Sequence, residues 1–172
     1  KRIILGVDMD LTAQLRIGGP VELDGNGKTI NVQTAAENQA ILLTSDDIEM
    51  KDVTITGPTM SWGIVLVAGI EGVVIDDVTV TGMGGGIYAN PDSQGEIKNC
   101  TFDTLGTGIG YDRSDFEITG NSFEDITSMY LEIFGNHTEE EIAEILLNNA
   151  FDDPVKVVIE ENGLKRYTII AQ

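Results

Sequence analysis

Between Val21 and Phe151 one pattern returns about every 22 residues: a run of alternating apolar and polar positions, a bend, then a second short run. Four segments superpose without gaps, Ile48-Glu-Met-Lys-Asp-Val-Thr-Ile55, Val73-Val-Ile-Asp-Asp-Val-Thr-Val80, Gly95-Glu-Ile-Lys-Asn-Cys-Thr-Phe102 and Phe116-Glu-Ile-Thr-Gly-Asn-Ser-Phe123. An earlier copy, Leu23 to Val32, fits if Gly25-Asn26-Gly27 makes a longer turn, and Leu146 to Phe151 supplies a later one. With Ile30, Val53, Val78, Cys100, Asn121 and Asn149 taken as equivalent, the steps are 23, 25, 22, 21 and 28 residues. Asp52, Asp77, Asn99, Gly120 and Asn148 precede those positions, and such residues tolerate a left-handed bend between two strands. Two residues after the equivalent positions come Val32, Ile55, Val80, Phe102, Phe123 and Phe151, a column predicted to point inward.

A second strand keeps step with the first. Ala40, Gly63, Gly86, Gly108 and Ser128 form a column of small residues, followed by Ile41, Ile64, Ile87, Ile109 and Met129. Parallel strands that stack one coil on the next make a solenoid, here of about six coils spaced about 4.8 Å apart. An antiparallel sandwich would not keep residue types in columns over successive repeats. The fold class predicted is therefore all-β, a right-handed parallel β-helix forming a single domain over 1–172.

A solenoid has to cover its ends. Thr138 and Glu141 form a capping box, and Ile142, Ile145 and Leu146 one apolar face. A short helix inserted over 136–146 accounts for the step of 28. Val155–Glu161 and Leu164–Ile170 alternate around Asn162-Gly163, which predicts a C-terminal hairpin cap over 154–172. Residues 1–20 are expected to cap the other end or begin the first coil, and 21–153 to carry the repeat.

The net charge of −19, from 29 acidic and 10 basic residues, disfavours nucleic acid and anionic membranes as partners. No apolar run reaches the roughly 18 residues that a membrane-crossing helix needs. Cys100 is the only cysteine, so neither an internal disulfide nor a thiolate cluster can form. The chain opens on Lys1 without an apolar leader, and it is expected to be part of a larger multidomain chain.

Leu23-Asp-Gly-Asn-Gly-Lys-Thr-Ile30, followed by Ala40-Ile-Leu-Leu-Thr-Ser-Asp-Asp-Ile-Glu-Met-Lys-Asp-Val-Thr-Ile-Thr56, resembles the pectin-lyase-like superfamily of right-handed β-helices. The likeness spans roughly Ile17 to Asp153. It implies the fold, and either a preference for polysaccharides or display at a cell surface. That superfamily includes both enzymes and non-catalytic modules.

The chemistry belongs on outward positions, which form ladders suited to an extended sugar chain. One outward column reads Leu42, Val65, Tyr88, Gly110, Tyr130, with Trp62 near the next coil, so Trp62, Tyr88 and Tyr130 are candidates for stacking on sugar rings. Two residues on stand Asn90, Asp112 and Glu132, with Arg113 beside them. Asn90 and Asp112 complete the candidate ligand set. If the chain is an enzyme, Asp112, Arg113 and Glu132 carry its catalysis, since paired carboxylates can hydrolyse glycosides. The resemblance also admits a calcium-assisted lyase acting on a uronate. The absence of Gly-His-Gly and Arg-Ile-Lys, together with the small number of coils, favours a solvated acidic edge. His137 is read as a cap contact and Cys100 as a buried apolar residue. Asn121 and Asn149 are read as a stacked pair satisfying bend carbonyls. Asp8-Met-Asp10 and Asp24-Gly-Asn26 are read as turns. No metal site is expected, although calcium is allowed as a weak cofactor. The function expected is a non-enzymatic extracellular or cell-surface module that contacts a polysaccharide or cell-surface glycan in the manner of an adhesin. The alternatives are a polysaccharide lyase or hydrolase and a purely structural spacer.

Overall fold

The computed structural model describes residues 1–33, 39–59 and 61–172. Three short strands come first, β1 (Arg2–Ile4), β2 (Met9–Leu11) and β3 (Leu15–Ile17). Long and short strands then alternate: β4 (Val21–Val32), β5 (Gln39–Leu43), β6 (Ile48–Thr56), β7 (Trp62–Leu66), β8 (Val73–Thr81) and β9 (Gly85–Ala89). In the next two coils the long strand is broken at its bend, giving β10 (Gln94–Lys98), β11 (Thr101–Asp103), β12 (Thr107–Asp112), β13 (Asp115–Thr119), β14 (Ser122–Glu124) and β15 (Met129–Phe134). The chain closes with α1 (Glu139–Leu147), β16 (Ala150–Phe151), β17 (Val155–Asn162) and β18 (Leu164–Ala171). One ten-stranded sheet follows the order β1-β4-β6-β8-β11-β14-β16, with β2, β10 and β13 branching from it. The second sheet has eight strands, in the order β17-β18-β15-β12-β9-β7-β5-β3. Among the described residues all pairings between coils are parallel, and only β15–β18 and β17–β18 are antiparallel.

Two apolar stacks face each other across the interior. Ile55, Val80, Phe102, Phe123 and Phe151 lie opposite one another on successive strands. Phe102 and Phe123 stack with centroids 5.1 Å apart, and Phe123 and Phe151 at 5.2 Å. On the other sheet Ile41, Ile64, Ile87, Ile109 and Leu131 form a column with no solvent exposure. Each such side chain contributes about 1.5–3 kcal/mol by leaving water. Gly86 and Gly108 bring the two stacks together: a Cβ would stand 2.5 Å from the Phe102 ring at Gly86, and 2.6 Å from the Phe123 ring at Gly108.

The predicted bends are left-handed at Asp52 (φ 49°), Asp77 (53°), Asn99 (54°) and Gly120 (69°). Asn148 departs from the column with φ −93°, because it is the C-cap of α1. Further corners are left-handed at Gly82, Thr104 and Asp125, and at Gly69, Asp92 and Arg113. The stacked asparagine pair forms as expected. Asn121 is 1% exposed; its Oδ1 accepts the Cys100 N–H at 2.9 Å, and its Nδ2 donates to Ile97 O at 2.9 Å and to Asn149 Oδ1. Asn149 in turn accepts the Asn121 N–H and donates to Ile118 O and Ile145 O. Cys100 lies in the same column, and burial pushes its thiol up to about 12, so it packs as an apolar side chain.

The helix begins at Thr138 with both halves of the capping box made, and the hairpin turns at Asn162-Gly163. Two columns need correction. Ile30 lies opposite Ile55, and Lys28 opposite Val53, because Gly25-Asn26-Gly27 adds two residues before the ladder resumes. In the second sheet Thr107 pairs with Met129 and Ile109 with Leu131, so Tyr130, not Ser128, follows Gly108.

Replacing Asn121 with alanine strands a buried N–H and a buried carbonyl, and is expected to cost about 2–4 kcal/mol in urea unfolding. Thr104 is β-branched at φ +54°. Thr104→Asn relieves that strain and is expected to raise stability by about 0.5–1 kcal/mol in the same measurement.

Candidate functional site

The outer face of the eight-stranded sheet carries two adjacent ladders: Gln39, Trp62, Gly85, Thr107 and Met129, and Leu42, Val65, Tyr88, Gly110, Glu132 and Thr168. Glycine in each ladder makes room for an aromatic ring from the preceding coil. A Cβ at Gly85 would stand 2.3 Å from Trp62 Cε3, and one at Gly110 would stand 3.0 Å from Tyr88 Cδ2 and 3.6 Å from Trp62 Cη2. The rings therefore lie along the strip, half-buried, 5.3 Å apart and tilted by 58°. The space over Gly110 is roofed by these two rings.

Charge borders this platform on the C-terminal side. Burial, with the nearby Asp112 and Glu132 carboxylates, pushes the Tyr88 phenol above its ordinary range. Asp112 is gripped by both ends of the Arg113 guanidinium, at 3.0 and 3.2 Å. Glu132 is bound by Arg166 Nη2, and Arg166 Nη1 also reaches Glu160 at 3.1 Å. Arg166 lies 5.3 Å from the Phe134 ring centroid. Glu132 stands opposite Gly110 while Asp112 stands opposite Phe134, so the two carboxylates sit on adjacent strands displaced by two residues. Each already has an arginine. Arg166 escaped the sequence reading because its place depends on where an antiparallel hairpin docks; alternation along β18 was the one signal that put it on the outer face.

The other candidates separate from the platform. Asn90 Nδ2 donates to Leu66 O at 2.7 Å, and its carbonyl accepts the Ser93 and Ser114 hydroxyls, so the residue ties coils together. Tyr130 does not face outward. It is 2% exposed and stands edge-on to Phe123 and Phe151, with its hydroxyl donating to Asp152 Oδ1 at 2.6 Å. Tyr130 stands opposite Gly108, which faces the Phe123 ring, so its side chain points into the core. His137 packs edge-on against Tyr111 at 5.5 Å, its Nδ1 is 3.8 Å from Glu141, and its carbonyl accepts the Tyr167 hydroxyl. It borders a cavity of about 200 Å³ between α1 and β13, lined also by Phe116, Ile118, Glu144 and Ile145.

Asp24 Oδ1 accepts the Asn26 N–H two residues on, as a turn requires, whereas Met9 and Asp10 belong to strand β2 and Asp8 Oδ1 accepts the Thr29 N–H of the next coil. Among the described residues no group of three His, Cys, Asp or Glu is placed to hold a metal ion. No described helix is long and apolar enough to cross a membrane.

Residues 19–160 match a family model described as the right-handed β-helix region. The chain belongs to the right-handed β-helix family. Membership agrees with the pectin-lyase-like resemblance and specifies the fold without specifying a chemistry. The comparisons with curated proteins and with solved structures gave no match. On one sheet of this right-handed β-helix an aromatic pair is laid over two glycines.

The Tyr130–Asp152 contact sets a pH dependence. The Tyr130 hydrogen bond, followed by the Asp125 N–H, holds the Asp152 carboxyl below its ordinary value. Its stabilisation is complete above the unfolded carboxyl value of about 3.9 and is lost as pH falls through the lower folded value. Burial first, then Asp152, pushes the Tyr130 phenol up to about 12. That contribution has the opposite sense: it is complete below the unfolded value of about 10 and lost as pH rises through the folded one. Thermal melts across pH are expected to show Asp152→Asn falling less steeply than the parent chain below about pH 4.

Proposed function

We propose that this chain is a non-enzymatic β-helix module of the cell surface or extracellular space, and that it holds an extended glycan across the Trp62–Tyr88 platform. The observation that carries this reading is the pair of half-buried rings lying along the strip, with Gly85 and Gly110 leaving room for them. Half-buried aromatic faces on a flat sheet suit the apolar faces of sugar rings, and the inter-coil spacing of about 4.8 Å presents them along an extended chain.

The arginine partners of Asp112 and Glu132 support a binding role over hydrolysis. Both oxygens of Asp112 and Oε1 of Glu132 already accept guanidinium N–H groups, so they are turned to their arginines and not to a leaving group or a water. A net charge of −19 also favours a neutral glycan over a uronate chain, because a uronate would be repelled at long range.

The test is a glycan array followed by titration calorimetry on the best ligand. Trp62→Ala and Tyr88→Ala are each expected to weaken binding roughly tenfold, about 1.4 kcal/mol of lost stacking, with circular dichroism unchanged. Asp112→Asn is expected to leave affinity nearly intact. Release of reducing ends or unsaturated uronate by the parent chain would establish the enzyme reading instead. An array without binding would favour the spacer.

A further inference from the structure

Strand β17 ends the eight-stranded sheet, paired with β18 along one edge, and among the described residues nothing pairs with its other edge. It is eight residues long and contains no proline; Pro154 stands just before it. Its core-side face carries Val155 and Val157, half-buried, and Ile159, which is 47% exposed. Its outer face carries Lys156, Val158 at 38% exposure, and Glu160. A long edge of this kind exposes unpaired backbone donors and acceptors together with apolar side chains, and is a template for another strand.

The residue order of β17 says which strand fits. Read antiparallel to itself about Val158, it places Lys156 opposite Glu160, Val157 opposite Ile159 and Val158 opposite itself. Opposite residues of an antiparallel pair share a face, so Val157 and Ile159 meet on the core side and Lys156 and Glu160 on the outer side, while Val155 and Glu161 face each other at the two ends of the pairing. Neighbouring registers lose the charge match. Centring on Val157 sets Lys156 against Val158, and centring on Ile159 sets Val157 against Glu161 and Val158 against Glu160. Glu160 already holds Arg166 through Oε2, while Lys156 makes no ion pair among the described residues.

We propose that β17 is a homodimer interface, pairing antiparallel with β17 of a second copy about a two-fold axis at Val158. The two eight-stranded sheets then become one continuous sheet, and the interface is isologous. Lys156 of each copy faces Glu160 of the other, and Ile159 is covered by Val157 from across the axis. This assembly is independent of the glycan reading.

Sedimentation equilibrium over a dilution series at physiological ionic strength tests it, where repulsion between two acidic chains is screened beyond about 8 Å. The parent chain is expected to dimerise reversibly. Lys156→Glu and Glu160→Lys each place like charges together twice, and are each expected to raise the dimer Kd roughly tenfold. Mixing the two single variants restores complementary charges at both positions, so a heterodimer is expected with the parent affinity. The double variant Lys156→Glu/Glu160→Lys is expected to dimerise by itself. Circular dichroism and melting temperature verify that every variant is folded. A parent chain that stays monomeric throughout overturns the proposal. So does a dimer that neither single reversal weakens, or one dissociated by Ile4→Arg at the opposite end. Failure of the single variants to re-pair overturns this register.

Discussion

Each coil must return to its starting point one strand spacing higher, and the rest of this structure follows from that closure. At these corners the extended chain turns by passing through the left-handed region, which is costly for most side chains. The corners at Asp52, Asp77, Asn99 and Gly120 therefore use aspartate, asparagine or glycine, and they fall in one column because the coils are in register. Polar residues at other corners serve a second need. A sharp corner leaves backbone N–H groups unpaired within its own coil, and polar corner side chains reach across to accept them, as Asp46 does for the Glu71 N–H. The buried Asn121–Asn149 ladder is the interior form of this device. Corner chemistry and ladder register are thus one constraint.

That constraint explains how much of the fold could be read from the sequence. Periodic features were legible because each is repeated: the inward stack, the bend column, the interrupted sixth coil, and the helix and hairpin with their own local signals. Both errors of register came where the repeat was irregular. Gly25-Asn26-Gly27 adds two residues, which moves Ile30 rather than Val32 opposite Ile55. At the other end Ser128 suited the small-residue column, yet the column is small for a reason that does not reach that coil. Gly86 and Gly108 must be glycine because Phe102 and Phe123 press against them. The next member faces Phe151 at the end of the aromatic stack, where Tyr130 fits edge-on and sends its hydroxyl to Asp152.

The candidate site was legible only in part, and the same error set the limit. Trp62 and Tyr88 lie on regular coils, and their outward positions followed from alternation. Tyr130 was placed with them by a two-residue slip that an isolated sequence could not reveal. The carboxylates Asp112 and Glu132 were found, but the partner that changes the chemistry of Glu132 was not. Arg166 arrives from a hairpin whose docking register is fixed by the burial of Tyr167 and Ile169. Periodicity predicts where a side chain points; it does not predict which distant charge will meet it.

The two ends of the solenoid solve the edge problem differently, and the difference bears on association. At the C-terminal end α1 lies against β13, and the hairpin covers β15 by reversing strand direction, which interrupts the parallel ladder. This reversal transfers the free edge to β17, whose charges and apolar residues match an antiparallel copy of themselves. At the N-terminal end β1, β2 and β3 keep the parallel direction, and an apolar cleft of about 510 Å³ lined by Ile3, Leu5, Met9, Leu15, Ile17 and Val21 opens beside them. An edge of that kind is matched by a further parallel coil, because the inward columns could continue across it in register. Arg2 there is already paired with Glu22 and Asp24, which leaves that edge no charge match of the kind β17 offers to a copy of itself. Charge and strand direction together therefore favour self-association through the hairpin rather than through the open coil.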